Sequence, residues 1–204
     1  MGRTRAIDTQ ALVAAAARVF ERRGYAEATL DDIAAEAGVS KPTVYQYVSS
    51  KQRLLEIIVE QAIYPLRDGI EQIVESQAGA GEKLEAYVRL HVNAAIRYKP
   101  YYVVLMADQH QLSPQALRSY QSWARQVNHA TEQLLQQGIT EGLVRADIDL
   151  AVIANLLNSA LTSVARWYRP ADRLKPAQVV DQVMNLLSGL LISPPPAAGP
   201  SNFE

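Results

Sequence analysis

Cysteine is absent from all 204 residues. Disulfides, cysteine nucleophiles and thiolate-bound metals are therefore excluded. Histidine is scarce, and His91, His110 and His129 share no spacing, such as H-x-x-x-H, that would put two imidazoles on one helical face. No G-x-S-x-G, glycine-rich phosphate loop or close acid pair stands in a strand-to-helix context. The chain is therefore not expected to be an enzyme, and neither a metal nor a cofactor is expected. No run of about 18 apolar residues suggests a membrane span. The opening run MGRTRAIDTQ is polar and lacks the apolar stretch of a secretion signal, so a cytoplasmic location is the expectation. Neither sign of charge dominates. The formal net charge is −1, which argues against bulk, non-specific nucleic-acid binding.

What is present is apolar and helical. Half-apolar composition (49%) allows a substantial core. No strand alternation or internal repeat stands out, and the periodicity predicts an all-α fold of about nine helices. Charge is mildly polarised along the chain. Residues 1–53 carry eight basic against six acidic side chains, and the remainder carries twelve against fifteen. A basic head on an acidic body is compatible with a DNA reader.

One stretch, Thr29 to Lys51, has the grammar of two helices around a tight turn. Thr29 is placed to cap a helix whose first turn holds Asp31 and Asp32, where the helix dipole favours acids. Leu30, Ile33, Ala34 and Ala37 recur at helical spacing. Gly38 is the residue type for a left-handed helix end. Ser40 caps a second helix, and Pro42 sits in its first turn, where a missing N–H costs nothing. That helix ends near Tyr47 and carries polar side chains in place of an apolar stripe. Helix, glycine turn and short helix is the helix-turn-helix pattern, whose second helix enters the DNA major groove. The same pattern also fits a plain helical hairpin.

A longer set of residues narrows the choice. Ala14–Phe20, Gly24-Tyr25, Ala28-Thr29, Ile33-Ala34, Ala37–Ser40, Thr43–Val48 and Lys51–Leu55 resemble the N-terminal domain of the tetracycline-repressor-type (TetR) transcriptional regulators. Val48 stands where that family often has an aromatic residue. The resemblance covers a quarter of the chain. It implies a three-helix DNA-binding domain over residues 1–50, a ligand-binding and dimerisation domain over 51–192, and a remainder, 193–204, whose Pro, Ala and Gly content predicts a disordered tail. Carried over by position, it implies that Thr29, Tyr45, Tyr47 and Lys51 grip the DNA backbone. Ser40, Lys41, Thr43 and Gln46 are expected at or near base edges, with Pro42 in apolar contact. Arg3 and Arg5 are candidates for phosphate or minor-groove contact.

Downstream, a long helix from about Lys51 to Ser76 contains Pro65, a candidate kink or hinge. Helices follow from about Glu82 to Tyr98, Tyr101 to His110, Ser113-Pro114 to Glu141, Leu150 to Tyr168, and from Pro176 onward. The last two carry more apolar surface than one chain can easily cover. Leu157, Leu161, Val164, Val183, Met184, Leu187 and Leu191 are expected to form a four-helix homodimer interface. The middle helices interleave aromatic and polar side chains, the makings of a small-molecule pocket. Tyr87, His91, Met106, Trp123 and Asn158 are the candidate ligand contacts. The runs Gly142–Leu150 and Trp167–Pro170 resemble features of relatives that sense acyl thioesters or hydrophobic acids; hydrophobic drugs and aromatic metabolites are alternatives.

The expected function is a ligand-responsive, sequence-specific transcriptional regulator. In this reading a homodimeric repressor binds an inverted-repeat, double-stranded operator and is released by a hydrophobic or aromatic small molecule. An activator, a ligand-sequestering protein without operator function and an α-helical enzyme are the competing classes.

Overall fold

The computed structural model describes residues 8–169, 171 and 173–190. Among them are nine α-helices and no strand: α1 (Thr9–Arg23), α2 (Leu30–Ala37), α3 (Lys41–Tyr47), α4 (Lys51–Glu75), α5 (Ala80–Arg97), α6 (Lys99–Asp108), α7 (Pro114–Thr140), α8 (Leu150–Trp167) and α9 (Pro176–Leu190), with one 3-10 turn at Gln109–Gln111. The fold is all-α, as the periodicity predicts. Arg3, Arg5, Leu191 and the whole of 193–204 lie outside the described residues.

The helix boundaries follow from side-chain caps. The side chains of Asp8, Thr29, Ser40, Ser50, Ser113 and Asp149 each accept a hydrogen bond from a backbone N–H in the first turn that follows. Each satisfies a donor that would otherwise lack an intrahelical partner, a contribution of about 1 kcal/mol. At Thr29 the cap is reciprocal, because the Asp32 carboxylate also accepts from the Thr29 backbone N–H at 3.0 Å. That hydrogen bonding holds the Asp32 carboxyl below its ordinary pKa. Gly38 closes α2 in the left-handed conformation, φ 67° and ψ 32°. A side chain there would be strained.

The helix α5 lies at the centre of the larger domain and packs on α4, α6, α7, α8 and α9. Its buried side chains include Tyr87, Val88, His91, Val92 and Ala95. The first three helices lean on α4 as expected, and α1 leans on α6 as well. One apolar cluster extends from Leu12 in α1 to Val180 in α9, so the DNA-reading end and the body share a core. Burial of each Leu, Ile, Val or Phe in it contributes roughly 1.5–3 kcal/mol. After α7 the chain folds back tightly. A Cβ on Gly138 would sit 2.5 Å from Val144 Cγ2, so this close approach requires glycine.

The helix α4 runs unbroken through Pro65, a half-buried residue. Proline removes one N–H from the ladder and is tolerated here inside a 25-residue helix packed on α1, α5, α6 and α7. A break at this position is therefore absent.

The expectation for α8 needs correction. The helix is apolar on both sides, and the two sides do different things. Leu157, Leu161 and Val164 are buried within the single chain, Leu161 to 1% exposure. They lie on the side of α8 that packs on α5, α6 and α7 and cannot form an outer dimer surface. The outward stripe consists of Val152, Leu156 and Trp167, with Leu156 61% exposed; on α9 Leu186 is exposed and Val183, Met184 and Leu187 are half-buried.

Candidate functional site

The short helix α3 presents a divided surface. Thr43 and Val44 face inward, whereas Ser40, Lys41, Pro42, Tyr45 and Gln46 are exposed and Tyr47 is half-buried against the core. Ser40 Oγ lies 2.8 Å from Thr43 Oγ1 and also accepts from the Thr43 backbone N–H. Thr43, expected near a base edge, is instead 2% exposed and serves the local cap. The exposed set on this helix and its cap is Ser40, Lys41, Pro42, Tyr45 and Gln46. The hydroxyl, ammonium and amide groups of Ser40, Tyr45, Lys41 and Gln46 are of types that can donate to phosphate and to base edges. Lys41 Nζ donates to Asp31 Oδ2 at 2.8 Å, which raises its pKa and keeps the ammonium charged at the mouth of the helix pair. Both partners are exposed, so the pair opens at little cost when a phosphate competes.

Lys51 departs from its expected role. Its ammonium donates to the carbonyls of Tyr25, Ala26 and Ala28 at 2.7, 3.1 and 2.9 Å, and sits 4.4 Å from the centre of the Tyr25 ring. Three donors meet three acceptors, so no proton remains for a phosphate. Lys51 fastens the start of α4 to the α1–α2 turn. Thr29 is exposed but its hydroxyl is engaged with Asp32, so the residue supports the helix start and leaves its outer edge open.

In the body, α4, α5, α6, α7 and α8 line a partly open cavity of about 480 Å³. That volume falls in the range of small-molecule sites. His91, Met106, Trp123 and Asn158, four of the five candidate ligand contacts, line it. The fifth, Tyr87, is placed behind the wall. Its hydroxyl donates to Asn158 Oδ1 at 2.7 Å and lies 2.7 Å from Thr131 Oγ1. Asn158 Nδ2 in turn donates to Asn128 Oδ1 at 2.7 Å and to Thr131 Oγ1 at 3.1 Å. Asn128 extends the chain to Asn155 at 2.8 Å. A satisfied polar network therefore holds α5, α7 and α8 in register at the cavity wall.

Two buried polar side chains at the wall stand outside that network. His91 is buried, and burial depresses its pKa to about 4, so the imidazole is neutral near pH 7. Its Nδ1 lies 3.0 Å from the Tyr87 carbonyl, which only accepts; Nδ1 therefore carries the proton and Nε2 is a bare acceptor. Tyr102 is 3% exposed, and its hydroxyl has no partner. Burial pushes its pKa up, so it stays protonated and able to donate. Tyr102 and Arg166, which also line the cavity, were not among the candidate contacts. The signal for Tyr102 was its place among the aromatics after Pro100; for Arg166 it was a lone cation near the end of an apolar helix.

The comparisons with known proteins agree with this arrangement. Residues 12–58 match the model described as bacterial regulatory proteins of the tetR family, and residues 77–191 match the tetracyclin repressor-like C-terminal domain. The HTH-type transcriptional repressor KstR2 of Mycobacterium tuberculosis is 27% identical over 179 residues, which covers 87% of this chain and 90% of that one. The HTH-type transcriptional activator FasR of Mycolicibacterium smegmatis is 32% identical over 121 residues, covering 59% and 52%. Among solved structures, the ketosteroid transcriptional regulator KstR2 of Mycobacterium tuberculosis superposes with a TM-score of 0.85 at 24% identity, covering 94% of this chain and 98% of that one. AibR in complex with isovaleryl coenzyme A and operator DNA superposes with a TM-score of 0.76 at 21% identity, covering 87% and 96%. These last two likenesses establish the fold. With both of its parts matched, and with the helix-turn-helix and the cavity in place, the chain belongs to the TetR family of bacterial transcriptional regulators, a family of DNA-binding proteins.

Proposed function

We propose that this regulator is a homodimeric repressor that leaves an inverted-repeat operator when a hydrophobic or aromatic small molecule occupies the cavity. The observation that carries this reading is the course of α4. Its first residue, Lys51, is tied to the α1–α2 turn, and three turns later Ala62, Ile63 and Leu66 form one wall of the cavity. A ligand that moves this wall moves a rigid element whose other end holds the DNA-reading helices. Coupling of 1–3 kcal/mol is typical for such a device, and operator and ligand would oppose each other by the same factor. The outward faces of α8 and α9, with Val152, Leu156 and Leu186, supply the apolar surface for a second copy, and Val183, Met184 and Leu187 stand at its edge. Two-fold pairing of the heads then sets an inverted repeat as the target.

An acyl thioester is a second reading of the ligand. The AibR structure contains isovaleryl coenzyme A, and here the exposed Arg166 side chain stands at the cavity, able to meet an anionic end.

Selection of bound fragments from random duplex DNA by the purified protein tests the operator. An enriched inverted repeat is expected. Enrichment of a single half-site, or none from protein shown to be folded and free of bound small molecules, removes the dimeric repressor reading.

A further inference from the structure

The polar groups around the cavity differ in how fully they are used. The amide of Asn158 accepts from Tyr87 and donates to Asn128 and Thr131, so it has nothing left for a ligand. Thr131 is likewise committed, since its hydroxyl donates to the Val127 carbonyl at 2.8 Å. Among the buried side chains of the wall, what remains is one acceptor, His91 Nε2 on α5, and one donor, the Tyr102 hydroxyl on α6. Both residues line the cavity, and both are almost wholly buried. A buried hydroxyl without a partner carries an uncompensated desolvation cost, and native proteins seldom keep one without reason. Replacing Tyr102 by phenylalanine would remove that cost and keep the ring packing, so packing alone does not explain the hydroxyl.

We infer that the effector carries an uncharged hydroxyl on an apolar frame, whose oxygen accepts from Tyr102 and whose proton goes to His91 Nε2. This rests on the reading of the cavity as the effector site and deepens it. A hydroxyl is the group that serves both positions, because a keto or ether oxygen can use only the Tyr102 donor. A carboxylate at this inner wall would lose its hydration against two neutral rings and is disfavoured there. Arg166, exposed on α8 and lining the same cavity, offers an anionic end a charged partner that this neutral pair does not.

Calorimetric titration of the full chain with naphthol, methoxynaphthalene and naphthalene separates the possibilities, because the three probes differ only at the oxygen. On the unsubstituted protein naphthol should bind about tenfold more tightly than methoxynaphthalene, the worth of one hydrogen bond that would otherwise leave a buried group unpaired. Methoxynaphthalene should in turn exceed naphthalene. Tyr102→Phe should erase the advantage of methoxynaphthalene over naphthalene, and His91→Phe the advantage of naphthol over methoxynaphthalene. Tyr102→Phe should melt no lower than the unsubstituted protein, because its hydroxyl has no bond to lose. Equal affinity for all three probes overturns the hydroxyl inference while leaving the cavity as a binding site. A naphthol preference over methoxynaphthalene that survives His91→Phe does the same. Failure of all three to bind saturably overturns the effector cavity itself, and this inference with it.

Discussion

The Lys51 ammonium lies over the Tyr25 ring and donates to the Tyr25 carbonyl at 2.7 Å, so the first residue of α4 is bolted to the turn that follows α1. A cation that accepts no phosphate can still control DNA binding, by fixing where the reading helices sit relative to the lever behind them. Lys51→Met keeps the length and apolar stem and removes the charge. It should cost about 2–3 kcal/mol of folding free energy, the scale for charge-assisted bonds to partly buried acceptors. Urea denaturation measures this. Unchanged stability with weakened operator binding would instead return the ammonium to the phosphate backbone.

Thr43 and Gln46 share one short helix and should respond differently to substitution. Thr43→Val deletes the hydroxyl bonded to Ser40 and should destabilise the fold by about 1 kcal/mol. Gln46→Ala should leave stability within about 0.5 kcal/mol, as for most exposed positions, and alter affinity for particular base pairs by roughly 1–3 kcal/mol if the amide reads a base edge. Denaturation paired with competition gel shifts against operator variants distinguishes them. A Gln46→Ala variant that binds every variant duplex as before places the amide off the bases.

His91 gives the fold an acid-side dependence. Its folded pKa of about 4 lies below the ordinary value of 6.5, so the unfolded chain binds the proton first as pH falls. The contribution is fully present above pH 6.5 and is lost as the pH descends toward 4. Its full size is about 3 kcal/mol at 1.36 kcal/mol per pH unit. Urea midpoints at pH 7.5 and pH 5 should diverge more in the unsubstituted protein than in His91→Phe. An identical slope in both would mean that the imidazole is hydrated in solution.

The two sides of α8 should separate in a similar way. Leu161→Ala removes a side chain from the core and should cost about 2–5 kcal/mol of folding free energy. Leu156→Asp alters an exposed position, so it should leave the folded chain intact and shift sedimentation toward the monomer. Retained dimer in Leu156→Asp would move the interface away from this stripe.

Much of the DNA-reading end is legible in the residues themselves. Capping hydroxyls, the Gly38 turn and the proline at the start of α3 are local signals, and local signals survive because they act within one helical turn. Four of the five ligand candidates could be found as aromatic or polar groups on apolar faces. Tyr87 does not line the cavity, and a tyrosine one helical face away looks identical in sequence; only the position of Asn158 and Thr131 shows that its hydroxyl is already taken. Thr43 and Lys51 misled for a related reason. A hydroxyl or ammonium advertises a donor, but not whether the protein itself has supplied the acceptor.

The sequence by itself determined an all-α chain, its helix starts and stops, and membership of a DNA-binding family, because periodicity, caps and fixed motif spacings are properties of neighbouring residues. The tertiary structure decided which side of α8 faces the core and which polar groups around the cavity are left unsatisfied. Those outcomes depend on partners tens of residues away. Tyr87 meets Asn158 across 71 residues, and no local pattern encodes that meeting.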